Sequence, residues 1–233
     1  MTNGWHRLAI CKFLKLESIF VRIGMRHKQW VEFCDHLLNF SKSEWKTDGR
    51  GQIYQPIEHI EFLHLKPIWT VSRYFTISKN ITCKGSLLDI GSLFGYLCHK
   101  FEDDSFDCTA IELQDSYFYF LEKIRIAKNK KFKSIHGSVF DLKETKFDVV
   151  LALNIFHHFL KEQNVFRKFK EFLSRLEVKE LFLQTHDHED PQMKSAFANF
   201  CPDCFARFVA DHVKLKNCEL IGCENDRKIF KIS

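Results

Sequence analysis

From residue 86 onward, short apolar runs alternate with amphipathic segments, and no other feature of the sequence limits the possible folds as strongly. The runs Ser86–Ile90, Cys108–Leu113, Lys133–His136, Phe147–Leu153 and Glu180–Thr185 read as strands. Between them, Leu93–Phe101, Ser116–Lys128 and Glu162–Leu176 carry apolar residues at three- and four-residue spacing, which is the period of a helix with one buried face. A further helical segment and two strands, Glu219–Cys223 and Lys228–Ile232, follow. Strands that alternate with helices predict an α/β domain, because a parallel crossover needs a helix to cover each face of the sheet. Ligands in such sheets bind beyond the carboxyl ends of the strands.

Those strand ends carry polar residues. The first runs into Asp89-Ile-Gly91-Ser92, with Gly95 four residues on, where the strand turns into a helix. On this stretch alone, a cofactor loop and an ordinary tight turn are both open. The second strand ends at Glu112, some twenty residues past the glycine turn, where a carboxylate can accept hydrogen bonds from both hydroxyls of a ribose. The third ends at Gly137-Ser138-Val139, the fourth at Asn154 with His157 and His158 close behind, and the fifth at Gln184-Thr185-His186-Asp187-His188. Five strands bring polar groups to one edge.

At this point the chain resembles the class I S-adenosylmethionine-dependent methyltransferases. The resemblance covers about residues 50–233 and is most specific over 86–158. LLDIGSLFG is similar to the family's acid-and-glycine loop, which implies S-adenosyl-L-methionine as cofactor, with Asp89, Gly91, Ser92 and Gly95 shaping the loop under it. By the same likeness Glu112 is the ribose acid, Ser138 and the backbone of Val139 meet the adenine, and Asn154 borders the methionine part. Two positions depart from the pattern. Leu93 stands where the loop usually has a middle glycine, and Ser138 stands where an acid is usual. The lead-in Arg50–Phe75 resembles that of methyltransferases acting on small molecules, sugars or wobble uridine, which nominates Tyr54, Gln55 and Arg73 as groups folding over the cofactor. The family's Rossmann-like sheet has seven strands, mostly parallel, with the last pair antiparallel.

Histidine suits proton removal from an oxygen acceptor, so His157 and His186 are the candidate bases, and Phe156 is a candidate pocket wall. The expected activity is methyl transfer to a small hydroxylated metabolite or sugar. The alternatives are an RNA or tRNA methyltransferase and a non-catalytic cofactor-binding interaction module. The net charge is +5, and most of the excess lies in the first 50 residues, short of the continuous basic footprint of a nucleic-acid reader. Nucleic acid is therefore the less favoured partner.

Residues 1–48 read as a helical N-terminal extension, with Leu16, Ile19, Phe20 and Ile23 on one stripe and Trp30, Phe33, Cys34, Leu37 and Leu38 on another, broken at Gly24. The main domain is expected over 49–233. No run of about 18 apolar residues predicts a membrane span, and Arg22 interrupts the apolar patch Ser18–Ile23, which lacks a cleavage site after it. Nine cysteines, an odd number, suggest reduced thiols and a cytoplasmic location. Cys201 and Cys204 together with Cys218 and Cys223 have a spacing open to zinc, and the histidine group with Asp187 is open to a metal as well. Structural roles are the simpler reading, so no metal is expected.

Overall fold

The computed structural model describes residues 28–44, 52–59, 62, 65–69 and 71–233. The expected helix over Leu16, Ile19, Phe20 and Ile23, the break at Gly24, and Arg50 lie outside the described residues. Helix α1 (Lys28–Glu44) is followed by two short parallel strands, β1 (Gln52–Ile53) and β2 (Lys66–Pro67), and by α2 (Ser72–Asn80). The main sheet then takes shape from β3 (Ser86–Ile90), α3 (Tyr96–Asp103), β4 (Asp107–Glu112), α4 (Asp115–Ala127), β5 (Lys133–His136) and β6 (Lys146–Leu153). It is completed by α5 (Gln163–Arg175), β7 (Glu177–Gln184), α6 (Pro202–Val213), β8 (Cys218–Glu224) and β9 (Arg227–Ile232).

Its strand order is β5-β4-β3-β6-β7-β9-β8, seven strands in one sheet. All pairings from β5 to β7 are parallel, and β9 pairs antiparallel with both β7 and β8. This is the seven-stranded, mostly parallel α/β sheet expected from the sequence.

The two-residue period of a strand decides what each face buries. Leu88, Ile90, Val150, Ala152, Leu181 and Leu183 face one core with Phe169, Phe172 and Leu173 of α5 and Phe205 and Val209 of α6. Leu87, Val149, Leu151, Leu153 and Phe182 face the other core with Ile77 of α2, Leu97 and Phe101 of α3 and Leu121 of α4. A third cluster joins Phe33, Cys34 and Leu37 of α1 to Ile53, Leu65, Leu93, Phe94, Phe120 and Ile124. The stripe predicted on α1 is thus the face that packs on the sheet domain. Phe156 belongs to the first core, its ring 4.7 Å from that of Phe169, so it does not serve as a pocket wall.

Two boundaries differ from the sequence reading for physical reasons. Helix α3 begins at Tyr96 rather than Leu93, because Leu93 (φ 53°) and Gly95 (φ 75°) are left-handed and cannot continue a right-handed helix. Strand β7 begins at Glu177, three residues before the apolar run, because Glu177 pairs directly across from Lys146 of β6 and opposite charges in register offset weak strand propensity.

Cys201 and Cys204 form a disulfide, which corrects the expectation that the cysteines are all reduced. Three residues apart at the start of α6, their Cα atoms are 5.1 Å apart, within bonding reach. Cys218 lies on β8 with its thiol donating to the Ala206 carbonyl at 3.6 Å. Among the described residues, no group of three or more His, Cys, Asp or Glu side chains is arranged to hold a metal ion, and no helix is long and apolar enough to cross a membrane.

Candidate functional site

The parallel strands set their polar ends side by side. Beyond β3 the chain turns sharply, and the Gly91 and Ser92 amides both donate to the Ile111 carbonyl on β4, at 2.9 and 3.2 Å. Gly95 has a left-handed backbone, and a Cβ there would lie 3.3 Å from the Phe132 ring, so glycine meets both a conformational and a packing demand.

Leu93 also occupies a left-handed conformation, the kind of backbone for which the usual loop glycine is suited. The loop keeps this geometry at a cost of about 1–2 kcal/mol, offset by burying the leucine side chain against Phe94 and Phe120 in the third cluster. This reverses a familiar order of substitutions. Leu93→Gly is expected to be less destabilising than Leu93→Ala by about 1 kcal/mol, since both lose the packing but only glycine relieves the strain. Urea denaturation of the two variants checks it, and an equal or larger loss for glycine would show the strain to be absent.

Glu112, 5% exposed, accepts three backbone amides at 2.9 Å. Leu93 donates to one carboxylate oxygen, and Leu113 and Gln114 donate to the other. Burial raises its pKa, and those three donors oppose the rise. Asp89, 3% exposed, is turned toward α3, where the Cys98 thiol is its hydrogen-bond neighbour at 4.0 Å. Burial and then the charge of Glu112 push its carboxyl up to about 7, against the pull of Arg73. Gln55 Oε1 accepts the Phe94 amide at 3.2 Å, which makes the glutamine a brace for the glycine loop. Ser138 Oγ accepts from the Phe140 amide at 3.2 Å and caps the short turn Val139–Asp141, and the Val139 side chain is buried in the core.

Arg73 is no surface residue. Its side chain lies over the Trp69 ring, 3.6 Å from the centroid, and its Nε donates to Glu224 at 3.0 Å. Burial lowers its pKa to about 10, against the opposing charges of Tyr54 and Glu224. Asn154, left-handed at the end of β6, accepts from Arg227 Nη1 at 3.1 Å, while Nη2 of the same arginine pairs with Asp190 at 2.9 Å. Gln184 donates to the Glu224 carbonyl at 3.5 Å. These bonds fix both amide orientations and leave a set of buried polar atoms without partners among the described residues: Arg73 Nη2, Asn154 Nδ2, Gln184 Oε1, His157 Nδ1 and His186 Nδ1. Buried polar atoms are normally satisfied, so several together in one region mark a place where a polar ligand belongs.

The histidine rings of 157 and 186 are 5.8 Å apart. Burial, with the nearby charges of His158 and Arg227, lowers His157 to about 2. Burial also lowers His186, partly opposed by its hydrogen bond to Asn199. That bond joins His186 Nε2 to Asn199 Oδ1 at 3.0 Å, and Asn199 Nδ2 donates to the His188 carbonyl at 2.8 Å. With the amide so oriented, its oxygen needs a proton from Nε2, which leaves the Nδ1 lone pair of His186 unprotonated. Asp187 Oδ1 and His188 Nδ1 lie 3.3 Å apart, and both side chains are exposed.

These pKa directions make stability depend on pH. His99, lowered to about 3 chiefly by burial, and His157, lowered to about 2, stay neutral in the fold, while in the unfolded chain they take up protons as pH falls through about 6.5, and the lowering of His186 acts in the same direction. Asp89 and Glu112, both raised, act in the opposite direction. His158, lowered to about 4 by burial and the charge of Lys161, acts with the other histidines, so the large histidine shifts outnumber the large rise at Asp89. Stability is therefore expected to fall as pH drops from about 6.5 toward 4.5. Denaturation midpoints across that range test it, and a flat profile would contradict the buried neutral histidines.

Trp69, Asp190, Asn199, Glu224 and Arg227 escaped the sequence reading. A signal existed for the last two. Asn225-Asp226, both left-handed, form the turn between β8 and β9, and an antiparallel β9 must start at the edge where its parallel neighbours end. Trp69, Asp190 and Asn199 had no periodic or motif signal.

Residues 88–176 match the family model of a methyltransferase domain. That stretch, from β3 through α5, carries the sequence pattern of a methyltransferase domain. A search against curated proteins finds no match. Among solved structures, the methyltransferase domain resembles the bifunctional kinase-methyltransferase WbdD at 19% identity and a TM-score of 0.63, over 84% of this chain and 46% of that one. The chain thus spans less than half of WbdD. It also resembles the methyltransferase domain of a bacterial CtHen1, at 15% identity and TM-score 0.52, over 70% of this chain and 96% of that one. The glycopeptide N-methyltransferase MtfA, solved with S-adenosyl-L-methionine, gives 14% identity and TM-score 0.50, over 69% of this chain and 91% of that one. At these identities the likeness is one of fold.

Proposed function

We propose that the protein is an S-adenosylmethionine-dependent methyltransferase acting on a small hydroxylated metabolite or sugar. The observation that carries the cofactor is the set of unpaired buried atoms at the strand ends. Arg73 Nη2 and Asn154 Nδ2 are donors suited to a carboxylate, and Gln184 Oε1 is an acceptor suited to an ammonium group. Together they fit the amino-acid end of S-adenosylmethionine. Glu112 has three of about four acceptor sites filled by backbone amides, which leaves one direction for a ribose hydroxyl. When bound, the cofactor supplies an electrophilic methyl group. The chain's part is to hold the acceptor in line with it and to take the acceptor's proton, a task for the lone pair on His186 Nδ1 beside His157. A base of this kind supports an oxygen acceptor.

Titration calorimetry of the purified chain with S-adenosylhomocysteine and S-adenosylmethionine is the direct test, followed by a mass-spectrometric screen of sugars and hydroxylated metabolites for methylated products. No binding at millimolar ligand would remove the reading.

A further inference from the structure

We propose that Cys201 and Cys204 are a redox-active dithiol that exchanges with low-molecular-weight disulfides of the glutathione class. The proposal is independent of the methyl-transfer reading. Cys201 is the N-cap of α6, a helix of 12 residues with Pro202 in its first turn, and its sulfur accepts the Cys204 amide at 3.2 Å. An amide donor and the positive end of a helix both favour a thiolate over a thiol, and the thiolate is the form that attacks a disulfide. The one acid between the two cysteines, Asp203, is paired with Lys228 at 2.7 Å, which reduces its repulsion of a thiolate.

Access agrees with this chemistry. Cys204 is exposed and Cys201 half-buried, whereas Cys34, Cys98 and Cys108 are buried. The bond is also poorly suited to a structural role. It closes a loop of a few residues, whose closure entropy is small, and it joins positions that the first turn of α6 already holds together. A disulfide that adds little to stability, lies at the surface and starts at a helix N-cap has the properties of one that is made and broken.

The exchange balances as follows. The Cys201 thiolate attacks glutathione disulfide, forming a mixed disulfide and releasing one glutathione thiolate. The Cys204 thiolate then attacks the Cys201 sulfur, closing the internal bond and releasing the second. The protein loses two electrons, glutathione disulfide gains them, and the two cysteine protons end on the two released thiols. The pair sits two residues beyond Asn199, which holds His186, so the exchange takes place next to the candidate site.

The test is to equilibrate the native, fully reduced chain in glutathione buffers of varied ratio, then acid-quench, alkylate and map by mass spectrometry. Oxidising buffer should close a 201–204 bond with loss of two alkylatable thiols per chain, and reduced glutathione should reopen it without unfolding. Cys201→Ser and Cys204→Ser should each stop as a mixed disulfide at the remaining cysteine. The proposal is overturned if the wild-type pair stays alkylatable, if the internal bond resists reduced glutathione in the folded protein, or if exposed Cys218 and Cys223 oxidise as readily.

Discussion

Glu112→Ala is expected to weaken S-adenosylhomocysteine binding by about 100-fold and to cost about 3 kcal/mol of stability. The double effect follows from what the carboxylate does in the fold. It gathers the amides of Leu93, Leu113 and Gln114, and removing it strands those donors where water has little access. A hydrogen bond to a charged group contributes about 1.5–3 kcal/mol, so the loop after β3 and the turn after β4 lose a shared anchor. Glu112→Gln separates the roles. One amide oxygen can still serve Leu113 and Gln114, but its NH2 would then face the Leu93 amide, donor against donor. Glutamine should therefore recover part of the stability and little of the binding. Calorimetry and denaturation of both variants decide it, and normal affinity in Glu112→Ala would place the cofactor elsewhere.

His186→Ala is expected to lower the transfer rate by about 10² to 10⁴ while leaving S-adenosylhomocysteine affinity near normal. The proposed base is set by its neighbours. Asn199 holds the proton on Nε2, and burial keeps the ring neutral at physiological pH. The rate should accordingly be flat from about pH 6.5 to 8, above the ordinary histidine value. Asn199→Asp would put a carboxylate against the imidazole and favour its protonated form, so an acid limb should appear nearer neutrality. The imidazole nitrogen shifts seen by NMR report the same change without turnover. His157→Ala tests the other ring. If both alanine variants keep full rate on the identified acceptor, positioning alone carries the reaction.

Much of the fold was legible because it is written in local pattern. The two-residue period of Leu87 to Ile90 and Val149 to Leu153 assigns each side chain to a face, and the helix stripes assign their partners. The glycine loop and Glu112 were legible because a tight turn needs particular residues at a fixed distance. The groups around Arg73 were not. Trp69 is a near neighbour in sequence but carries no motif, and although the Asn225-Asp226 turn places Glu224 and Arg227 at the strand ends, they meet Arg73 and Trp69 only after the chain has crossed the sheet. Cys201 and Cys204 show a different limit. Their spacing suits a metal, a disulfide or two unrelated thiols, and the start of α6 decides among these.

The place of β9 in the strand order has a consequence for how the protein is made. β9 is the last of the seven strands in sequence order, yet it lies between β7 and β8 rather than at an edge. While the chain leaves the ribosome, β7 emerges with its outer side unpaired and β8 with no neighbour at all. Only the arrival of residues 227–232 joins them. At about 5–20 residues per second, the stretch from the end of β7 to the end of β9 takes a few seconds to synthesise. During that interval a nascent chain exposes the apolar side chains of β7, and Asn154 and Asp190 wait for Arg227. Until then the edge of β7 is unpaired and the bonds from Arg227 to Asn154 and Asp190 cannot form.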